Sequence, residues 1–383
     1  MAEKSNILLV DDYAVNLELL EAFLERSGIP MNIYKASTGR EAFQYVEQLN
    51  LDMVLLDVML PDVSGYEICQ CLKGCKQYQN IPIIMITALN DKESMLKGLK
   101  SGADEFLTKP VDSHELILRV KNLLKMKSIA NDLDNRYSQL HKELVIAREL
   151  QKSFLPKHIP QYDSLEIEVL YKPSSFISGD FYDFFELDAQ HLGIFICDVK
   201  GHGVASAMIT ATIKFHMHEL RNYSYEPDQL LRRLNERLEH FFSTTANDYF
   251  VTAFYAILDL RDHSVCYSNA GHSTPFLCKQ QELIPLENKE GLPLGILPEM
   301  KYDEQKTFLQ KGDELFLYTD GIFEIELNHK PIKSCASLQD VFEGETEPIG
   351  IDRIHELQKE IKMYTEKYQI TDDINYIAVR VNQ

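Results

Sequence analysis

From Leu123 to Leu155 the chain contains neither glycine nor proline, and seam-compatible residues return in steps of three and four. Leu123, Met126, Ala130, Leu133, Tyr137, Leu140, Leu144, Ala147, Gln151 and Phe154 keep this spacing without a break. A run of about four heptads is the shortest that predicts a coiled coil. Ala130, Tyr137 and Gln151 are mediocre seam residues, so the expected parallel dimer is a weak one. A single helix packed on a neighbouring domain is the alternative. Either way, a long helix divides two differently patterned regions, and 383 residues are too many for one ordinary core. The expected organisation is a domain over residues 1–122, a helical coiled-coil linker over 123–155 and a second domain over 156–383.

Ahead of the linker, Ile7–Val10, Met53–Leu56 and Ile83–Ile86 are short apolar runs bounded by polar residues, the pattern of buried strands. Ile33–Ala36 and Glu105–Leu107 complete a set of five. Val15–Arg26, Arg40–Leu49, Lys92–Lys100 and Ser113–Leu124 show helical spacing. Alternating strands and helices predict a parallel, doubly wound α/β sheet, in which ligands gather at the carboxyl ends of the strands. Of the five helices such a fold needs, these four can be placed.

Beyond Pro156 the pattern changes. Glu166–Leu170, Gly193–Cys197, Val251–Leu258, Ser264–Ser268, Glu314–Tyr318 and Ile374–Val381 read as strands, with helices near Val204–Arg221 and Asp228–Phe242 inserted together. Runs of strands with grouped helices predict an α+β fold, a β-sandwich flanked by helices. Ser334–Gly350 has no clear period and reads as a surface excursion.

Composition narrows the partners. A formal net charge of -20 repels phosphate backbones, so nucleic acid is not expected as a direct ligand. No stretch approaches the roughly 20 apolar residues of a membrane span, so no membrane is expected and the location read from the sequence is cytoplasmic. Cys69, Cys71 and Cys75 cluster without a second Cys or His pair at zinc spacing, and reduced thiols account for them better than a metal.

In the first domain Asp11 and Asp12 follow the first strand and Asp57 follows the third. Carboxylates converging at strand ends make a hard-oxygen site suited to Mg²⁺. Thr87 ends the fourth strand and Lys109 follows the fifth, where a hydroxyl and an ammonium could hold the oxygens of a phosphoryl group on Asp57. Singly, each Asp reads as a helix cap; as an ordered set they are specific. Residues 5–124, with LLVDDY, VLLDVMLPDVSG, IIMITA and ADEFLTKP, resemble the response-regulator receiver family. The resemblance implies a two-component system in which a histidine kinase is the phosphodonor. By it Asp57 accepts the phosphoryl group, Asp11 and Asp12 serve the Mg²⁺ with it, and Thr87, Phe106 and Lys109 are switch residues.

The second domain carries Asp180 in SGDFYDFF, Asp198 in ICDVKGHG, Asp320 in LYTDGI, and Asp372 with Asp373 in TDDINYIAV. Separated aspartates without His or Cys partners favour Mg²⁺ or Mn²⁺ over zinc, and two such ions can clamp a phosphoryl group for in-line attack. One Asp-Gly alone is only a turn; four sites in this order say more. Residues from about 143 to 381, with SGDFYDFFEL, GIFICDVKGHGVASAMI, YSNAGHSTPFL and DDINYIAVRV among the shared stretches, look like the bacterial stress-response and sporulation branch of the protein phosphatase 2C (PPM) family. By that resemblance Asp180, Asp198, the Val199 carbonyl, Asp320 and Asp372 hold two Mn²⁺ or Mg²⁺ ions. The implied activity is direct hydrolysis of phosphoserine or phosphothreonine, without a phosphoenzyme. Related systems act on an anti-sigma-factor antagonist, which implies the same class of substrate here. A non-catalytic adaptor that binds a sigma factor or such an antagonist is the other reading, and the retained carboxylates favour catalysis.

Two departures stand out. Ser178 replaces a glycine often found ahead of Asp180, and Lys200 replaces a small polar residue after Asp198. Lys200 is a candidate for substrate phosphate or a solvated side chain. His202 is a candidate proton donor, as is His272, although each reads more readily as a turn residue bonded to backbone.

Overall fold

The computed structural model describes residues 4–88, 97, 100–201, 203–244, 249–279, 282–287, 291–323, 326–327, 330–331, 349–350, 359–363, 370 and 372–382. The chain divides into two units, Met1–Leu140 and His141–Gln383.

In the amino-terminal unit β1 (Ser5–Val10), β2 (Met31–Ala36), β3 (Met53–Asp57), β4 (Ile83–Thr87) and β5 (Glu105–Thr108) form a parallel sheet in the order β2-β1-β3-β4-β5. All five expected strands are present. The order reverses between β1 and β3, which puts the ends of those two strands at the ligand crevice of such a sheet. Helices α1 (Ala14–Glu25), α2 (Gly39–Gln48) and α3 (Gly65–Gly74) cover it. On α1, Leu17, Leu20 and Leu24 are buried, the three-and-four spacing of one helical face. The Thr38 hydroxyl caps α2 through Glu41 N, while the Glu41 carboxylate takes Ser37 N. The fifth helix, unplaced from sequence, is α3, opened by Ser64 with its hydroxyl on Tyr66 N. The expected helix at Lys92–Lys100 lies outside the described residues apart from Lys97 and Lys100.

Helix α4 runs unbroken over Ser113–Lys152. Its first turns bury Leu116 and Val120 in the sheet's second core, with Leu123 and Leu124 packed against it. Lys127 Nζ then fastens it to the Leu51 carbonyl at 2.7 Å and to Asp52 at 3.0 Å. Residues 128–143 are exposed. The expected seam therefore loses its ends: Leu123 packs on its own sheet, and Gln151 and Phe154 pack within the carboxy-terminal unit.

The carboxy-terminal unit is a sandwich of two largely antiparallel sheets. One contains β7 (Asp180–Glu186), β8 (His191–Val199), β9 (Val251–Asp259), β10 (Ser264–Ala270) and β13 (Gln305–Phe308), in the order β13-β10-β9-β8-β7. The other contains β6 (Leu165–Lys172), β11 (Phe276–Lys279), β12 (Glu282–Pro285), β14 (Glu314–Tyr318), β17 (Ile349–Gly350) and β18 (Ile374–Val381), in the order β17-β12-β11-β14-β18-β6. Between β14 and β17, β15 (Glu326–Leu327) and β16 (Lys330–Pro331) pair with each other. Ile194, Phe254, Leu315 and Ile377 meet between the sheets. Helices α5 (Val204–Glu219) and α6 (Pro227–Ser243) cover the outer face of the first sheet, burying Ile213 and Leu234 against Phe195 and Tyr255. Each such fully buried side chain contributes about 1.5–3 kcal/mol. Six strands and both helices match expectation; β7, β11, β12, β13, β15, β16 and β17 were missed. The Ser334–Gly350 segment lies outside the described residues except for Ile349–Gly350, which pair with β12.

Candidate functional site

Asp11 and Asp57 reach the crevice of the amino-terminal unit from β1 and β3. Both are buried, and Lys109 Nζ bridges them, 2.8 Å from Asp11 Oδ2 and 3.0 Å from Asp57 Oδ2. Asp12, exposed, completes a set whose ligand oxygens lie within 4.8 Å of one another, the donor chemistry of a hard divalent cation. Burial raises the Asp57 carboxyl above its ordinary value, although Lys109 pulls the other way. Burial alone would lower the Lys109 ammonium; its bonds to Asp11 and Asp57 reverse this and raise it. Thr87, buried, ends β4, and Phe106 is half-buried on β5 against the core. The structure thus gathers Asp11, Asp12, Asp57 and Lys109, with Thr87 and Phe106 at the neighbouring strands.

In the carboxy-terminal unit the acidic residues come in pairs, one pair from each sheet. Asp180 opens β7 and stands opposite Asp198 near the end of β8. Asp320 follows β14 in a short turn, and Asp372 lies just before β18, the neighbouring strand. Asp180 is buried; Asp198 and Asp372 are half-buried and Asp320 is exposed. Burial, then the charge of Asp198, pushes the Asp180 carboxyl well above the usual range. Burial, then Asp320 and Asp372, pushes Asp198 up to about 7. Among the described residues no lysine or arginine pairs with Asp180 or Asp198. Crowded carboxylates lacking a protein cation fit divalent ions of oxygen preference.

Neighbouring residues set this geometry. Thr319 donates its hydroxyl to Asp180 Oδ2 at 2.7 Å and accepts from Asn375 N at 3.1 Å, joining the two sheets. Asp373 accepts four bonds, from Ser174 N and Oγ, Ser178 Oγ and Gly179 N, at 2.6–2.9 Å. These bonds commit the Asp373 carboxylate to the turn before Asp180, whereas Asp372 accepts from Asp373 N at 2.8 Å. Gly321 is required by close approach: a Cβ there would lie 2.0 Å from the Asp373 carbonyl. At Gly179 a Cβ would lie 2.9 Å from the Val199 carbonyl, which thus faces the turn before Asp180.

Ser178, unlike the glycine it replaces, donates to Asp373 and accepts from Asp180 N at 3.0 Å. Gln151 grips the same residue on both sides, donating to Ser178 O at 2.7 Å and accepting from Ser178 N at 3.0 Å. Seam spacing assigned Gln151 to a dimer; burial assigns it to this turn. Lys200 is exposed, its Nζ 5.1 Å from the Phe250 ring centroid. His202 lies outside the described residues. His272 is buried, its Nδ1 2.9 Å from the Thr252 hydroxyl, and its backbone is clasped by Asn269. Thr319 and Asp183 were missed from sequence, and Ser178 was noted there only as a departure in the turn before Asp180. Asp183 shares a strand face with Phe181 and Phe185, and a carboxylate in such an apolar pattern signals a partner, here Lys214 at 2.5 Å.

Comparison with known proteins agrees with both halves. Residues 188–382 match the family described as Stage II sporulation protein E (SpoIIE), and residues 7–121 match the response regulator receiver domain. The phosphoserine phosphatase RsbU of Bacillus subtilis (strain 168) is 29% identical over 244 residues, which are 63% of this chain and 71% of RsbU. The phosphoserine phosphatase RsbP of the same organism is 27% identical over 241 residues, 63% of this chain but only 58% of RsbP. The SiaA-PP2C domain of Pseudomonas aeruginosa shares the fold, with a TM-score of 0.51 at 18% identity, covering 64% of this chain and 99% of that one. No helix among the described residues is long and apolar enough to cross a membrane. With the matched region covering just over half of its residues, the chain belongs to the SpoIIE family and carries a response regulator receiver domain ahead of it.

Proposed function

We propose that this chain is a response regulator whose output is removal of phosphate from serine or threonine on a regulatory protein, an anti-sigma-factor antagonist, under control of phosphorylation at Asp57. The carboxy-terminal unit is a metal-dependent protein serine/threonine phosphatase, the class of its family and of its two phosphoserine phosphatase relatives. The observation that carries the reading is the convergence of Asp180 and Asp198 from one sheet with Asp320 and Asp372 from the other, with no lysine or arginine among the described residues paired with the first two.

Asp180, Asp198, the Val199 carbonyl, Asp320 and Asp372 would hold two Mn²⁺ or Mg²⁺ ions, and Asp11, Asp12 and Asp57 one Mg²⁺. Bound in the phosphatase unit, such ions activate water and neutralise phosphoryl charge. The protein's own part is positioning: Thr319 fixes one oxygen of Asp180, and Ser178 and Asp373 fix the turn before it. Lys200 is our candidate contact to substrate phosphate and His202 our candidate donor to the leaving serine oxygen. In the receiver, a histidine kinase supplies the phosphoryl group, and Thr87, Phe106 and Lys109 report its presence.

Residues 1–122 act as the receiver, 123–155 as the linker and 156–383 as the phosphatase. We assign a homodimer to the linker, its seam confined to Met126, Ala130, Leu133, Tyr137 and Leu140, which are exposed. Phosphorylation then changes pairing along α4, and Gln151 in its last turn carries the change to Ser178, two residues from Asp180. Hydrolysis of p-nitrophenyl phosphate with and without Mn²⁺ tests the activity; equal rates in both would sink it. Replacing Leu133 and Leu140 with Asp should weaken dimerisation and uncouple activity from Asp57 phosphorylation. An unchanged oligomer by light scattering, with unchanged regulation, would reduce α4 to a tether.

A further inference from the structure

Helix α5 meets the start of β7 through three polar residues of common spacing. Ser206, Thr210 and Lys214 recur every four residues and so lie along one face of the helix. Ser206 is buried, and a Cβ on Gly179 would lie 3.3 Å from its Cβ. Thr210 is buried and accepts from Gln151 Nε2 at 3.2 Å, the amide that also holds Ser178. Lys214 places its Nζ 2.5 Å from Asp183 Oδ2 and 6.0 Å from the Phe181 ring centroid.

The lengths agree. From Ser206 to Lys214 a helix advances about 12 Å, and from Gly179 to Asp183 a strand advances about 13 Å. The Asp183 side chain is only 3% exposed, and Lys214 is the cation that meets it. A slip of α5 by one turn, about 5.4 Å, would take Lys214 away and leave a buried carboxylate unpaired, a strongly disfavoured state. Asp183 lies on the strand face that Phe181 turns toward the helices, whereas Tyr182 turns toward the opposite sheet. It therefore acts on the acidic site through the strand that it shares with Asp180.

We propose that Lys214 and Asp183 are positioning residues that lock the register of α5 on β7 and thereby hold Asp180 in its cation-binding geometry. The proposal deepens the phosphatase reading and rests on it only for the identity of the cation. The test uses the full chain with Asp183→Asn and Lys214→Met together, a neutral pair of similar size that leaves no buried charge unpaired, and Lys214→Arg beside it. Calorimetric titration with Mn²⁺ and hydrogen exchange of the α5 amides are the readouts, with thermal melting as the check on folding. The double variant should melt within a few degrees of the parent, bind Mn²⁺ at least about tenfold more weakly, and exchange faster along α5; each tenfold step is one pK-like unit of binding. Lys214→Arg should restore binding to within about threefold, because the charge is kept. A folded double variant with the parent's Mn²⁺ affinity overturns the proposal. A parent that binds Mn²⁺ but hydrolyses no phosphoester sinks the phosphatase reading while the register lock stands, and a parent that binds no Mn²⁺ overturns both.

Discussion

In the amino-terminal unit the ammonium of Lys109 stands between Asp11 and Asp57, whereas no lysine or arginine among the described residues pairs with Asp180 or Asp198. Both clusters set carboxylates at strand ends, and both are partly withdrawn from water. The first carries part of its own compensating charge, so its carboxylates can coexist before any ion or phosphoryl group arrives. The second has no such ammonium among the described residues, and burial with mutual repulsion outweighs the Thr319 hydroxyl and raises the carboxyls, Asp198 to about 7. A site of the first kind suits a switch that must be stable in two states. The second kind suits a centre that works only when loaded.

The comparison can be broken most completely at Asp57. Asp57→Ala should abolish labelling by acetyl phosphate in the presence of Mg²⁺ while leaving phosphatase activity measurable; a mutant that still labels would move the acceptor elsewhere. In the other cluster, Asp198→Asn and Asp320→Asn should each lower Mn²⁺-dependent hydrolysis by at least about a hundredfold. Neither should unfold the unit, since neutralising one carboxylate relieves repulsion. Near-normal turnover in both purified variants would remove the assignment.

Acid should separate the two units next. His272 is buried in the carboxy-terminal unit and its imidazole is lowered from 6.5 to about 4 by burial, while the sole histidine of the amino-terminal unit, His114, is exposed. The unfolded chain therefore takes up that proton first. Its contribution to stability is whole above about pH 6.5 and is lost as the pH falls toward 4, a loss of about 3 kcal/mol. Denaturant titration of the parent and of His272→Gln across that range should show the parent's excess pH dependence, and parallel curves would contradict it. The smallest effect is expected at Lys109. Breaking a buried ion pair costs about 3–5 kcal/mol; partial exposure of Lys109 reduces this to roughly 2 kcal/mol for Lys109→Met. Mg²⁺ should recover most of that loss, making the receiver's melting temperature as cation-dependent as we expect the phosphatase's to be.

The receiver was legible because β1, β3 and β4 are self-contained apolar runs with a functional residue at or just past the end. Asp11, Asp57, Thr87 and Lys109 could be placed by local pattern alone. The one helix left unplaced, α3, had a local sign: Ser64 followed three residues later by Glu67 is a capping-box spacing. The phosphatase site was legible as a set of motifs but not as a geometry. Strand β7, which carries Asp180, was missed because Phe181 to Phe185 is apolar on both faces except for Asp183, so alternation is masked. Gln151 was misassigned for a different reason. Helical spacing reports which residues share a face, not whether that face meets a second chain or a turn 27 residues away. Likewise, nothing local distinguishes Asp372 from Asp373; only the four donors converging on the latter do.

Thr319 joins the two sheets at the acidic edge, and the carboxylates there belong in equal number to both. Any cation shared between Asp198 and Asp320 would close a loop of more than a hundred residues in the unfolded chain, the circumstance in which a clip restricts that ensemble most. The edge of the sandwich would then behave as a hasp: the same ion that equips the centre for hydrolysis would fasten one sheet to the other, so chelation should loosen this rim before it disturbs the helices packed on the outer face.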